Sequence, residues 1–571
     1  MKKYIAAVLC LLLVGACFSG CTAKVAIPYY DGIAEDGSYN TSLFYRNDLT
    51  VYQAADPGCL YVSPEQDPVW GGYFYMYVTG LGFPVMRSKD LNNWEKIGSS
   101  ISLKGTWCNN HFWAPEVVYQ PANGKYYMYF SASSPIGDDT TEYSSSTEWQ
   151  DRLYAGIAVS DTPVGPFKLW TGVNADGKVI TEKTPPINFR EGLGVDEDIG
   201  VIDIHPFFDD DGQLYLYFTR HRSSSYSKNA IWGMRMKDMV TPDFSTMTQL
   251  TEPGKYTPGG EDYLYEASSV IDEAPNMIKH NGRYYLTYSP FGFSDRKYSV
   301  SLATSTDPLG VFEKVPAEIG NPVLGIDVYY DQMGGTGHHC FVRAGDEIFS
   351  LYHAHMNRAT GAGNPRGIAV DRMSFIYNEQ LGFDLLHANG PTYSLQPLPS
   401  VVSGYENIAA DATVSVSNDV GDTAKYLTDG LVTFHDYDGA YEYRSSGETK
   451  ITLTFDAPVL ITAVMVYNSL YYEYAFSSID CIEFEVCEAP EGYGGTVPFR
   501  GVIENVPVND AYVRSDEWYM RAGGSALAEF APMTVTSITI TVSQKQTEKD
   551  YDGNSIETIG ISDIVILGKR V

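Results

Sequence analysis

The chain has 571 residues, a formal net charge of −32, and an unusual abundance of Tyr (44), Gly (53) and Pro (30). So negative a chain excludes nucleic acid and anionic membrane surfaces as partners, because a phosphate-bearing surface would repel it, and neutral polymers fit better. Aromatic residues cut by turn formers point to an all-β chain rather than to long helices, and the length admits more than one domain.

Residues 1–21 read as a targeting segment. Lys2 and Lys3 precede an apolar run from Ile5 to Val14, and Phe18-Ser19-Gly20-Cys21 resembles the bacterial lipoprotein cleavage box, in which Cys21 becomes the lipidated N-terminus. On this reading the protein is exported, faces the periplasm or the cell surface, and meets a membrane only through that lipid. No later stretch is long and apolar enough to span a bilayer. The next residues, 24–45, are turn-rich and read as an arm or first outer strand of a domain covering 24–400. Cys59, Cys108, Cys340, Cys481 and Cys487 lack the paired spacing of a zinc site and read as buried free thiols.

From about residue 50 to 398 one unit recurs. A turn glycine followed by alternating apolar and aromatic residues appears at Gly72-Tyr73-Phe74-Tyr75, Gly124-Lys125-Tyr126-Tyr127, Gly212-Gln213-Leu214-Tyr215, Gly282-Arg283-Tyr284-Tyr285 and Gly345-Asp346-Glu347-Ile348. A strand of small and apolar residues ending in a turn and an aromatic follows each. Three strands per unit are legible and a fourth is plausible, which predicts a five-bladed β-propeller with loops of uneven length inserted, notably at 137–150 and 171–193. In a propeller the first strand of each blade lies nearest the axis, so its leading residues surround one end of the channel. Those leaders are Ala55-Asp56-Pro57, Ala114-Pro115-Glu116, Ile202-Asp203-Ile204, Glu273-Ala274-Pro275 and Gly337-His338-His339.

Beyond the Pro-rich boundary at 397–404 the pattern changes to alternating strands such as Lys450-Ile451-Thr452-Leu453 and Ser537-Ile538-Thr539-Ile540, which predict a β-sandwich over 404–571. Its opening segment Glu406-Asn407-Ile408-Ala409-Ala410-Asp411, then Tyr426-Leu427-Thr428-Asp429-Gly430, and its closing Ile561-Ser562-Asp563-Ile564 resemble the discoidin, or coagulation factor type C, domain, a jelly-roll that bacterial carbohydrate-binding modules share. Trp518, Tyr471 and Tyr472 are candidate sugar platforms there.

The ordered series Ala55-Asp56-Pro57, Phe112-Trp113-Ala114-Pro115-Glu116, Ile202-Asp203, Glu273-Ala274-Pro275 and Gly337-His338 resembles family 43 of the glycoside hydrolases over about residues 50–390. The resemblance implies a five-bladed propeller that hydrolyses arabinose-, xylose- or galactose-containing polysaccharides or oligosaccharides with inversion. It further implies Asp56 as base, Glu273 as acid and Asp203 as modulator of the acid, in place of the family's usual Gly an Ala274, and no cofactor for the chemistry. His338 matches a position that approaches a structural calcium ion, or it is simply a satisfied polar group. Arg366 matches an arginine that reaches a substrate hydroxyl, with a surface ion pair as its alternative, and Trp113 either stacks on a sugar or packs between blades.

Elementary chemistry asks the same of such a site. The base must be ionised to activate water, the acid must keep its proton near neutral pH, and a third carboxylate near the acid raises its pKa by like-charge repulsion. Adjacent residues of a strand face opposite ways, so Asp272 and Glu273 cannot both face the axis. The expected function is an exo-acting α-L-arabinofuranosidase. The alternatives are β-xylosidase, endo-arabinanase or galactanase action, or a sugar-binding surface lipoprotein without turnover.

Overall fold

The computed structural model describes residues 24–34, 41–49, 53–134, 152–195, 199–222, 226–325, 333–357, 362–432, 435–436, 439–492, 494–509, 524–550 and 552–571. The targeting segment with Cys21, the loop 137–150 and Trp518 lie outside them. The chain divides into one unit of Ser42–Gly404 with Thr433–Ala440 and another of Met1–Thr41, Tyr405–Val432 and Tyr441–Val571.

The first unit is a ring of five antiparallel four-stranded sheets, each a meander in chain order. Blade 1 runs through Gly58–Val62, Tyr73–Tyr77, Pro84–Ser88 and Trp94–Ser99, and blade 2 through Asn110–Gln120, Lys125–Ser133, Leu153–Ser160 and Lys168–Leu169. Blade 3 comprises Val201–Phe208, Leu214–Arg220, Ala230–Met236 and Pro242–Gln249; blade 4 comprises Asp272–His280, Arg283–Pro290, Ser301–Ser305 and Glu313–Lys314. Blade 5 comprises Gly337–Ala344, Glu347–Asn357, Ala362–Asn378 and Phe383–Ala388. The fourth strand that the sequence left open is therefore present in every blade.

Period-2 alternation explains why the ring holds. Tyr75 and Tyr77 of blade 1 pack with Tyr126 and Met128 of blade 2, while the intervening Tyr127 and Tyr129 pack with Leu214 and Leu216 of blade 3. The same exchange joins Tyr215 and Tyr217 to Tyr284 and Leu286, Tyr285 to Tyr352, and Phe349 and Leu351 back to Phe74 and Met76. Each blade therefore buries both faces against different neighbours. The tyrosine hydroxyls reach past these layers to backbone carbonyls, as Tyr129 does to Met239 at 2.6 Å and Tyr217 to Pro308 at 3.1 Å, which is why Tyr rather than Phe fills the column. Phe44–Tyr45 pairs with Gln396–Pro397, bringing the two ends of the unit together.

Two expectations need correction. Lys24–Ala26 is not an outer propeller strand: it pairs in parallel with Arg500–Val502 and belongs to the other unit, so the propeller unit starts at Ser42 rather than at residue 24. The insertion 171–193 is not structureless. It holds a small hairpin, Gly172–Val173 with Val179–Ile180, and a short helix, Phe189–Leu193, whose first turn is capped by the Asn188 side chain accepting from the Glu191 N–H.

The second unit is also β throughout its core. Long strands Thr449–Asn468, Phe476–Glu488, Ser525–Val542 and Thr558–Arg570 alternate inward Ile, Val and Phe around one apolar interior that includes Ile451, Phe484, Ile538 and Ile566. Tyr471 stands with Tyr474 at 6.0 Å, and the Arg444 guanidinium covers both rings. The side chain of Tyr472 lies outside the described residues. The described thiols are free, Cys108 and Cys340 buried and the other three half-buried.

Candidate active site

Just before or within the first strand of each blade one residue adopts the left-handed region: Asp56 (φ 53°), Ala114 (φ 45°), Asp203 (φ 55°), Ala274 (φ 54°) and His338 (φ 44°). In blades 2 to 5 the strand register slips at this point, between Trp113 and Glu116, Ile202 and His205, Glu273 and Asn276, and Gly337 and Cys340. A β-bulge of this kind turns the local side chains out of the ladder, and here it presents them at one end of the ring.

The kink frees one N–H per blade, and each finds an acceptor on the preceding blade. Ala114 donates to Thr79 Oγ1 (3.0 Å), Asp203 to Ser131 Oγ (3.2 Å), Ala274 to Asp203 Oδ2 (2.9 Å), His338 to Ser289 Oγ (3.0 Å) and Asp56 to His353 Nδ1 (3.3 Å). These bonds close a circle through all five blades, satisfying donors that the bulge would otherwise leave buried and unpaired. In the step from blade 3 to blade 4 the acceptor is the Asp203 carboxylate itself, and Thr219, in the seat of the other hydroxyls, donates to its Oδ2 at 3.3 Å.

Asp56, Asp203 and Glu273 converge, and their surroundings drive their protonation apart. Asp56 accepts from Thr79 Oγ1 at 2.5 Å and from Arg366 Nη1 at 3.1 Å, with His338 Nδ1 and His353 Nδ1 each 3.4 Å from Oδ1. Burial pushes its carboxyl up, but His338 and then Arg366, first among the opposing groups, bring it well below the usual carboxylate range. Glu273 accepts from Tyr298 Oη at 3.0 Å and from Asn229 Nδ2 at 3.3 Å. Burial first, and the Asp56 charge second among the groups that raise it, push it up to about 7 against those two donors. Asp203 is likewise pushed up to about 7, by burial and then by the Glu273 and Asp56 charges, with His338 opposing. Each of the pair Asp203 and Glu273 resists ionising while the other is charged.

The remaining sequence candidates fall into place around these three. Arg366 meets the Asp56 carboxylate and lies over the Phe293 ring at 4.7 Å, so it is neither a bare surface ion pair nor a free arm at the mouth. Trp113 is half-buried, edge-on to His111 at 5.0 Å, and its carbonyl accepts from Ser131. Asp272 turns away from the axis, as alternation requires, into a buried cluster with Lys314 and Glu266. Glu116 accepts from His205 Nδ1 at 2.7 Å; the Met277 N–H donates to His205 Nε2 at 3.0 Å, so the neutral ring carries its proton on Nδ1. Asp209 is tucked against Lys279 and Tyr284 of the next blade.

A calcium ion prefers six to eight oxygen ligands. Among the described residues no group of three or more His, Cys, Asp or Glu side chains converges as metal ligands would, and His338 turns Nδ1 toward Asp56. Among the described residues His338 is therefore joined by no such set of protein ligands.

Sequence reasoning missed the hydroxyl column and the groups behind the acid. Thr79, Ser131, Thr219 and Ser289 each stand seven residues after their turn glycine, a regularity visible in the repeats; His353 stands eight after Gly345 and breaks it. Tyr298 and Asn229 come from connecting segments that carry no repeat signal.

The sequence pattern described as glycosyl hydrolases family 43 matches residues 64–379. A β-D-galactofuranosidase of Aspergillus niger is 28% identical over 307 residues, 51% of this chain and 71% of that relative. An extracellular endo-α-(1→5)-L-arabinanase of Thermotoga petrophila is 27% identical, covering 41% of this chain and 47% of that relative, so the chain matches about half of its length. An extracellular exo-α-(1→5)-L-arabinofuranosidase of Cellvibrio japonicus is 25% identical, covering 40% of this chain and 60% of that relative. A solved structure of a thermostable family-43 glycoside hydrolase covers 62% of this chain and 99% of that one, with 26% identity and a TM-score of 0.48.

Proposed function

The chain belongs to family 43 of the glycosyl hydrolases, and from that premise we propose that it is an exported, inverting, exo-acting α-L-arabinofuranosidase working on plant polysaccharide side chains. The observation that carries the mechanism is the convergence of buried carboxylates with opposite surroundings, Asp56 against the Arg366 guanidinium, which favours its ionised form, and Glu273 in a buried seat that pushes its pKa up to about 7. Glu273 donates its proton to the departing glycosidic oxygen. Asp56 takes a proton from a water that attacks the anomeric carbon from the other face, and the bond to the leaving oxygen breaks as the new one forms. Asp203 shares the buried charge of the site with Glu273, each resisting ionisation of the other, and fixes the backbone beside the acid through the Ala274 N–H. Arg366 and Thr79 hold Asp56 ionised and aimed.

The furanoside specificity rests on relatives named for galactofuranosides and arabinofuranosides, and export on relatives named extracellular together with the N-terminal segment. The same relatives make β-D-galactofuranosidase or endo-arabinanase activity the second reading. For the second unit we propose a discoidin-like carbohydrate-binding role, resting on the sequence motifs and the Tyr471, Tyr474 and Arg444 cluster.

The test is a panel of 4-nitrophenyl α-L-arabinofuranoside, β-D-galactofuranoside and β-D-xylopyranoside with branched and debranched arabinan, followed by proton NMR of the first-formed sugar. The expected product from an α-L-arabinofuranoside is the β anomer; initial release of the α anomer contradicts the mechanism, and a preference for another glycoside moves the specificity to the second reading.

The pH profile is a further check. The acid works only while protonated, so kcat/KM is expected to fall as pH rises through about 7, the Glu273 value. The base works only while ionised, so the acidic limb lies below the ordinary carboxylate range. A rate that climbs steadily from pH 6 to 9 would count against Glu273 as the acid.

A further inference from the structure

Three blades accept the neighbour's N–H with a hydroxyl, Thr79, Ser131 or Ser289, blade 3 accepts it with the Asp203 carboxylate that Thr219 supports, and the fifth accepts it with an imidazole. An imidazole can do what those hydroxyls do, since Nδ1 of the neutral ring accepts the Asp56 N–H. It also does something they cannot. The ring lies parallel to Tyr298, centroids 5.5 Å apart and planes 11° apart, and Tyr298 donates its hydroxyl to Glu273 Oε1. We propose that His353 is a positioning residue that sets the geometry of acid and base together, with its nitrogen seating the backbone of Asp56 and its face holding the tyrosine that orients Glu273. The proposal rests on the reading of Asp56 as base and Glu273 as acid.

Three observations support it. His353 and Tyr298 are both fully buried, so neither has water as a substitute partner. The bare Gly337 beside the pair is needed for the stack, because a Cβ there would come within 2.4 Å of Tyr298 Cδ1 and 3.0 Å of Ser289 Oγ. Burial and then Arg366 push the His353 ring down to about 3, so it remains a neutral acceptor wherever the enzyme works. One Nδ1 lone pair cannot serve both the Asp56 N–H at 3.3 Å and Oδ1 at 3.4 Å, and only the N–H brings a proton to it.

The experiment compares His353→Ser, Tyr298→Phe and the double variant, with kcat, KM and the pH profile measured on an aryl furanoside and folding followed by thermal melting. Serine supplies the hydroxyl that blades 1, 2 and 4 use in this seat, so ring closure is kept while the aromatic face is lost. The groups that set the Glu273 limb are Asp56, Asp203 and Arg366 by charge and Tyr298 and Asn229 by hydrogen bond. The Tyr298 bond favours the carboxylate, so its loss raises the Glu273 pKa, and the alkaline limb is expected to move to higher pH in both single variants. His353→Ser is further expected to lower kcat roughly 10- to 100-fold with little change in KM, the scale of a small misplacement of reacting groups. The double variant is expected to be no worse than the worse single one. A His353→Ser enzyme with wild-type kcat and an unmoved alkaline limb overturns the proposal, as do effects that simply multiply in the double variant. If His353→Ser fails to fold, Tyr298→Phe, which deletes one oxygen, decides alone: an unmoved limb overturns the proposal. Glu273→Gln assayed alongside reports on the acid assignment independently.

Discussion

Glu273→Gln is expected to lower kcat for an unactivated arabinofuranoside about 10²- to 10⁴-fold, the contribution of a well-placed general acid, while leaving the melting temperature near that of the parent. The amide keeps the size of the acid and its oxygen can still accept from Tyr298 Oη or from Asn229 Nδ2, which bond separate oxygens of the carboxyl, but it has no acidic proton to give the departing oxygen. The loss should shrink on aryl glycosides with acidic phenols, since a good leaving group needs less protonation. A variant whose deficit is the same for all leaving groups would show that Glu273 supports the fold or the binding of sugar instead of donating the proton.

Asp56→Asn is expected to remove activity on every substrate, by at least about 10³-fold, near 4 kcal/mol of barrier. Unlike the acid, the base is needed however good the leaving group, because no water is activated without it. The carboxamide also leaves Arg366 Nη1 facing a neutral group in a half-buried position, and His338 and Thr79 lose their anionic partner. Added azide is expected to yield no product of retained configuration, since an inverting site forms no covalent sugar intermediate. Comparable losses on good and poor leaving groups are the signature to look for; recovery on activated substrates alone would transfer the role of base to another group.

Much of the architecture was readable in the chain because a propeller repeats its local rules. A turn glycine, an alternating aromatic strand and a leader facing the axis recur often enough that Asp56, Asp203 and Glu273 announce themselves as heads of three blades. What the sequence hides is set by tertiary contact. A left-handed residue is ordinarily signalled by Gly or Asn, yet Ala114, Ala274 and His338 adopt that conformation because the neighbouring blade accepts their N–H. Ala274 stands where the family's usual residue is Gly, and its backbone is the one oriented by Asp203, a link no local pattern reveals. The parallel pairing of Lys24–Ala26 with Arg500–Val502 joins segments from opposite ends of the chain, and a three-residue strand carries too little patterning to name so distant a partner. Tyr298 and His353 lie on different elements, so only coordinates could bring their rings face to face.

The circle of kink hydrogen bonds has a bearing on when the enzyme becomes competent during synthesis. The base belongs to the first blade made, but the nitrogen that seats it and the arginine that keeps it charged belong to the last. A nascent chain released only as far as the fourth blade would carry both the future proton donor and the future proton acceptor and still be chemically silent. Competence would arrive only once His353 and Arg366 have joined the ring.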